Sequence, residues 1–366
     1  MLYKTSAPRF FSENRVSGMM LTLIAAAIPG LFAQTYFFGW GVLIQVIFAI
    51  IVALISEVLV LFLRNKPIIS TLFDGSAIVT GFLLGLALPS VAPWWITFTA
   101  VTFAMIFAKH LYGGLGYNPF NPAMVGYVLV LISFPLQMTA WLPATDLLLH
   151  PLTFMDSLAV IFNQHTANGF SVANLRTGID GYTLATPLDT IKTDLNNGFM
   201  LSEILQKSIF GDFAGKGWGL VNLCYLLGGI FLIIKKVINW RIPFSFLGTL
   251  LLFSVIFTLI NPNGYTSPIL HLFSGATMIG AFFIATDPVS ASTTPRGRIY
   301  FGIGIGLLVF VIRTFGGYPD AIAFAVLLMN MCAPTIDQYT QPKIYGQRTN
   351  AQWDLATKAN SMESKS

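Results

Sequence analysis

Gly39–Leu63 reads GWGVLIQVIFAIIVALISEVLVLFL, an unbroken apolar run whose only charged residue is Glu57. As a helix it rises about 37 Å at roughly 1.5 Å per residue, more than the ~30 Å hydrocarbon core of a bilayer. Arg64 and Lys66 follow at once, as basic residues do at the cytoplasmic end of a span. Trp40 stands at the opposite end, where an aromatic belt would lie. This segment is a transmembrane helix, and the rest of the chain is read around it.

The composition agrees. The chain is 55% hydrophobic and 10% charged, with mean hydropathy +0.72. A soluble domain carries roughly 25% charged residues, so there is too little polar surface here to face water all round. The net charge of +5 comes from Lys and Arg at the ends of apolar segments, and nucleic acid is not an expected partner. Cys224 and Cys332 both lie inside apolar runs, read as small buried hydrophobes, and no metal site is expected. Met1–Arg15 is polar and mildly basic and leads into a long apolar stretch, which reads as a first span and not as a cleaved signal.

The pattern places spans near Ser17–Phe32, Gly39–Leu63, Gly75–Leu88, Trp94–Ala108 and Pro122–Phe134, then near Gly219–Ile234, Pro243–Ile260, Gly275–Ala285, Ile299–Phe315 and Ala321–Met331. The fold class is therefore all-α integral membrane, with about ten transmembrane helices and a large polar loop between the fifth and sixth. Basic residues fall in alternate connections: Lys4, Arg9 and Arg15; Arg64 and Lys66; Lys109; Lys235, Lys236 and Arg241; Arg296 and Arg298; Lys343 and Arg348. Arg313, at the far end of the ninth span, is the exception. The positive-inside rule then puts both termini in the cytoplasm and the loop outside. The expected divisions are a first five-helix repeat over 1–136, an external loop over 137–216, a second repeat over 217–335 and a cytoplasmic tail over 336–366.

Two correspondences indicate the repeat. Asp74-Gly75-Ser76-Ala77 parallels Ser274-Gly275-Ala276-Thr277, and Tyr112-Gly113-Gly114 parallels Phe315-Gly316-Gly317. Five spans per half make the halves run in opposite directions, an arrangement that puts binding sites at the junction, near short Gly/Pro-interrupted spans. Two ordinary short helices packed through small residues are the other reading. Within the loop, Pro151–Asn163 (PLTFMDSLAVIFN) has apolar residues at helical spacing; it either lies on the membrane surface or packs against the loop's own fold. Thr177–Thr190 is rich in hydroxyls around Gly and Pro, an exposed turn.

Five stretches carry a resemblance: FDGSAIVTGFLLGLALP (Phe73–Pro89), KHLYGGLGYNPFNPAMVGY (Lys109–Tyr127), DGYTLATPLDT (Asp180–Thr190), SGATMIGAFFIATDPVSAS (Ser274–Ser292) and FGGYPDAIAFAVLLMNMCAPTID (Phe315–Asp337). Together they make the chain similar to the D subunits of Rnf electron-transport complexes, a family shared with the B subunits of the sodium-translocating NADH:quinone reductase. The resemblance implies a component of an inner-membrane complex that exchanges electrons between ferredoxin and NAD, coupled to Na+ or H+ transport. It also implies FMN linked through its phosphate to a threonine in a sequence like Asp-x-x-Ser/Thr-Gly-Ala-Thr, installed by an external flavin transferase. A second, non-covalent flavin such as riboflavin among the helices is a further implication. Partners would be the other subunits, the transferase and membrane lipids.

Two stretches compete for the covalent flavin. Asp180-Gly181-Tyr182-Thr183-Leu184-Ala185-Thr186 keeps the acid and the acceptor but has Leu184 for the glycine. Ser274-Gly275-Ala276-Thr277 keeps the core four residues but has His271 for the acid. A transferase must reach its acceptor, so FMN is assigned to Thr186, with Asp180, Thr183 and Ala185 as the attachment motif. Glu57 is the other candidate: an intramembrane acid marks an ion path, or it sits near the cytoplasmic interface and pairs locally, with Arg64 seven residues on along the same face. His110 and His271 are expected near opposite membrane faces, unsuited to one bis-histidine haem. The alternatives are a B subunit of the quinone reductase and, from another class, a small-solute channel or carrier without a redox group.

Overall fold

The computed structural model describes residues 13–176, 186–211, 213–318 and 321–341. All ten apolar segments marked out by the sequence carry helix. In the first part these are α1 (Glu13–Phe38), α2 (Gly41–Leu63), the short α3 (Ile68–Leu72), α4 (Ser76–Ala87), α5 (Trp94–Phe103) and α6 (Pro122–Ser133). The connecting loop contributes α7 (Phe154–Asn163) and α8 (Pro187–Asn196). The second part has α9 (Trp218–Ile234), α10 (Arg241–Ile260), α11 (Pro268–Phe273), α12 (Thr277–Ile279), α13 (Gly297–Phe315) and α14 (Ile322–Tyr339). Val16–Phe38, Gly41–Leu63, Arg241–Ile260 and Gly297–Phe315 are each long and apolar enough to cross a membrane.

Differences from the sequence reading have local causes. α1 runs on to Phe38 instead of stopping at Phe32, and the polar residue in the added turns, Gln34, is satisfied inside. Gln34 donates to the Leu86 carbonyl at 3.2 Å and accepts from the Tyr225 hydroxyl at 3.0 Å. The segment 275–285 is a single α turn continued as a π-helix, Gly280–Ile284. α5 likewise continues as a π-helix over Ala104–His110, closed by an i−5 bond from Leu111 N to the Ile106 carbonyl. Such turns widen the helix and re-aim the side chains at its end, here Lys109 and His110.

The two matched stretches share a local geometry. Each follows a short helix, α3 or α11, and turns through a glycine of positive φ, Gly75 at 77° and Gly275 at 62°. Helix contacts rely on small residues, as they do where no hydrophobic effect drives association. α4 carries Gly81-x-x-x-Gly85 against α2: a Cβ on Gly81 would lie 2.8 Å from the Ala49 carbonyl oxygen, and one on Gly85 would lie 2.7 Å from Val46 Cα. Backbone atoms cannot swing aside. Gly85→Leu should therefore lower the thermal unfolding temperature of the purified protein, by overpacking worth about 1–3 kcal/mol. Gly18→Ala, with no neighbour within 4 Å of its Cβ, is the control, and equal melting of the two variants would count against this packing.

Residues from both parts build one continuous core, including Ala49, Leu84 and Met105 from the first and Phe246, Phe283 and Phe310 from the second. Asn121 ties the parts together. Its carboxamide oxygen caps α6 through Ala123 N and Met124 N, while its Nδ2 donates to the Ile284 carbonyl at 3.3 Å. The loop has small cores of its own: Val160, Leu148 and Leu175 close on Val91, and Leu188, Ile191, Leu201 and Ile204 close on Leu270 of α11.

Candidate functional site

α8 begins with Thr186 as its N-cap in extended conformation and Pro187 at its first position, the arrangement that suits a residue without N–H. The Thr186 hydroxyl accepts from Asp189 N at 3.4 Å. Leu188 and Ile191 bury one face of α8 against α11 and the Leu201–Ile204 turn. From the same helix Lys192 reaches the end of α13, donating to the carbonyls of Ile312, Arg313 and Tyr318 at 3.5, 3.3 and 3.2 Å. A cation at those last carbonyls also meets the negative end of the α13 dipole. Burial lowers the Lys192 pKa, against the opposing pull of Asp189. Burial also raises the Asp189 pKa, while Arg176 and Lys192 act to lower it.

Thr186 lines a partly open, mostly apolar cavity between the two parts of the chain. Gln34 and Tyr127 come from the first part, Tyr225 and Tyr318 from the second, and Trp141 and Asp189 from the loop. Gly275 and Ala276 line the same space, so the two stretches that compete for the flavin on sequence meet in three dimensions. Their hydroxyls differ. Thr186 is half-buried, whereas Thr277 is 0% exposed and its hydroxyl donates to the His271 and Ser274 carbonyls, each at 2.9 Å. Asp180, Thr183 and Ala185 lie outside the described residues.

A second polar cluster lies within the helices. Glu57 is 0% and Lys109 2% exposed, and Lys109 Nζ donates to Glu57 Oε1 at 2.5 Å and to Ser76 Oγ at 2.7 Å. His110 Nε2 stands 3.5 Å from the same carboxylate oxygen. Ser76 in turn bonds to Asp74, through both its N at 2.7 Å and its hydroxyl at 2.5 Å. This corrects the expectation of local pairing. Glu57 is partnered across helices by Lys109, and Arg64 instead donates to the His110 carbonyl at 2.6 Å. The π turn is the reason, since it turns both Lys109 and His110 inward at the end of α5.

The remaining candidates fall in different places. His271, buried on α11, has its carbonyl bound by Arg313 Nη1 at 2.9 Å, and Arg313 is itself buried in the last turn of α13. Asp287, an acid just beyond the Gly280–Ile284 π-helix and not one of those candidates, closes a turn by accepting from Ser290 N and Oγ at 3.2 and 2.5 Å. Sequence reasoning missed Lys192 and the aromatic walls of the cavity. The available signal was the Leu188, Ile191 and Leu195 stripe, which marks α8 as a docked helix and not a free turn.

Comparison with known proteins gives the same answer for most of the chain. The family described as NQR2, RnfD, RnfE matches residues 3–346. A protein from Aeromonas hydrophila subsp. hydrophila, named as the D subunit of an ion-translocating oxidoreductase complex, is 55% identical over 343 residues, covering 94% of this chain and 98% of that protein. Proteins of the same name from Aliivibrio salmonicida and Shigella dysenteriae serotype 1 are 56% and 52% identical, each over 344 residues, 94% of this chain and 98% of the relative. With its long apolar helices the chain is a multi-pass membrane protein, and on this coverage and identity it belongs to the NQR2, RnfD, RnfE family.

Proposed function

We propose that this chain is the flavin-bearing membrane component of an ion-translocating oxidoreductase complex, the assembly its relatives are named for. It carries FMN through a phosphoester on Thr186. The observation that carries this reading is a contrast between two threonines beside one cleft: Thr186 is half-buried and lines it, while the rival hydroxyl of Thr277 is enclosed and engaged. Ligand sites are mostly apolar with a few placed polar groups, and the aromatic and aliphatic lining here, with Gln34 and Asp189 among it, is of the kind that suits a flavin ring.

The parts have separable tasks. Thr186 supplies the ester oxygen, and its place at the head of α8 sets the phosphate against a helix N-terminus, which favours negative charge. Trp141, Tyr127, Tyr225 and Tyr318 offer aromatic walls, and the Gln34–Tyr225 pair offers a fixed polar contact in the wall. FMN supplies the electron-carrying chemistry, and the protein's share is position, electrostatics and exclusion of water. Lys192 and the Leu188–Ile191 face hold α8 in place.

The wider reading follows the sequence. It has about ten transmembrane helices in two inverted five-helix repeats, divided at 1–136, 137–216, 217–335 and 336–366. Both termini are in the cytoplasm and the loop is on the outer side of the bacterial inner membrane, where a flavin transferase reaches Thr186. The coupled ion is Na+ or H+, the electron route runs between ferredoxin and NAD through partner subunits, and a second, non-covalent flavin such as riboflavin sits among the helices. The matched turns at Gly75 and Gly275 support the repeat. Mass spectrometry of the peptide spanning Asp180–Thr190 tests the central claim: the mass of FMN less one water on this peptide is expected, and an unmodified peptide from a yellow preparation of the intact complex would refute it.

A further inference from the structure

α7 is a helix of the loop, yet its outward face is as apolar as its inward one. Ser157, Val160 and Ile161 are buried, and Phe154, Met155, Leu158 and Phe162 are 42%, 71%, 39% and 41% exposed. At 100° per residue these four fall on one stripe. The single charge of the helix, Asp156, is spent at its N-terminus, in a reciprocal cap with Thr153. That hydrogen bond lowers the Asp156 pKa. Four large side chains turned to water on a ten-residue helix would form an apolar patch of the kind that marks a contact site.

What covers the stripe follows from where the helix lies. α7 packs on α2 through two ring contacts, Trp40 with Phe154 at 6.0 Å and Phe48 with Phe162 at 5.7 Å. The contacts are eight residues apart on both helices, so α7 runs alongside the first two turns of α2 in the same direction, over about 12 Å of rise. α2 is the most apolar of the long helices. Its own outward residues just beyond, Ile47, Ile51 and Ile55, are 50%, 48% and 63% exposed and in a membrane protein face lipid. The stripe on α7 continues that surface.

We propose that α7 is a lipid-facing helix of the loop, standing beside the first two turns of α2 at the outer edge of the bilayer with Phe154, Met155, Leu158 and Phe162 turned to the lipid. Because α7 runs with α2, its polar end, Asn163, Gln164 and His165, lies deepest, and it holds the helix to the outermost part of the leaflet. The inference rests on the external placement of the loop but not on the flavin at Thr186. Lipid is thereby the partner, and the loop is moored to the membrane it emerges from.

The test uses a bimane fluorophore on Leu158→Cys or Phe162→Cys, with Cys224 and Cys332 replaced by alanine, in the whole complex in phosphatidylethanolamine–phosphatidylglycerol vesicles. Lipids carrying a doxyl group near the headgroup should remove most of the emission, lipids with doxyl at the chain end less, and aqueous iodide almost none. The same label on Asn196→Cys, exposed on the polar face of α8, should respond to iodide and not to lipid. Quenching at Leu158→Cys by iodide alone would make the loop water-borne and overturn the proposal. Indifference to both quenchers in the complex, with lipid quenching in the isolated chain, would assign the stripe to a partner protein and overturn it equally. Doing the assay on Thr186→Val as well separates this result from the flavin assignment, since lipid quenching should be unchanged there.

Discussion

Thr186→Val should yield a chain that inserts and folds but shows no flavin fluorescence on a denaturing gel. Valine matches threonine in shape and removes only the hydroxyl, the one atom a phosphoester needs. The structural cost is small. The hydroxyl accepts a single long bond, from Asp189 N at 3.4 Å, and loss of an N-cap is worth about 1 kcal/mol. Pro187 and the buried Leu188 and Ile191 remain to hold α8. Thr277→Val is the informative partner: it removes two internal hydrogen bonds to the His271 and Ser274 carbonyls, and covalent fluorescence should survive in whatever protein folds. Fluorescence that persists in Thr186→Val and disappears in Thr277→Val would transfer the flavin to the second stretch.

The second large effect is expected at Glu57. Glu57→Ala leaves Lys109 buried with its carboxylate partner gone and, among the described residues, Ser76 as its remaining acceptor. Breaking a buried pair from one side costs about 3–5 kcal/mol, because a charge is left uncompensated. A sharp fall in thermal stability, read by size-exclusion chromatography after heating in detergent, is the expected result. Glu57→Leu with Lys109→Met should recover much of the loss, since apolar replacements of whole ion pairs are often neutral. A single variant as stable as the parent would mean that Lys109 has another route to compensation. Ion transport measured in the stable double variant then asks whether the pair serves more than the fold.

Much of the fold is legible for a simple reason. A bilayer demands about 20 apolar residues per helix, and that demand writes itself into the sequence as continuous runs such as Gly41–Leu63. What escapes is interaction at long range. Glu57 and Lys109 are 52 residues apart, and nothing in the pattern announces the π turn that swings Lys109 inward, so on sequence the nearest cation to the acid is Arg64 and the acid's role stays open between an ion path and a local pair. Gln34 looks like a stop signal because its acceptor and donor, Leu86 and Tyr225, belong to distant helices. Thr186 is reachable only through the resemblance, since a threonine in a polar turn has no chemistry of its own. The cavity that joins it to Gly275 and Ala276 is not written in either stretch, and Lys192 is marked only indirectly, by the Leu188, Ile191 and Leu195 stripe of its helix.

The cavity beside Thr186 is walled by helices that precede the loop and by helices that follow it, with no single helix group enclosing it. Whatever fills it therefore bridges a seam. If the two sides slide or rock, the fit around the occupant changes, and a change in the occupant's charge or shape changes which arrangement is favoured. Linkage makes these two effects one coupling free energy seen from either end. For the proposed flavin, an electron arriving in the seam would be a mechanical input, and a displacement of the helices would be a shift in its redox potential.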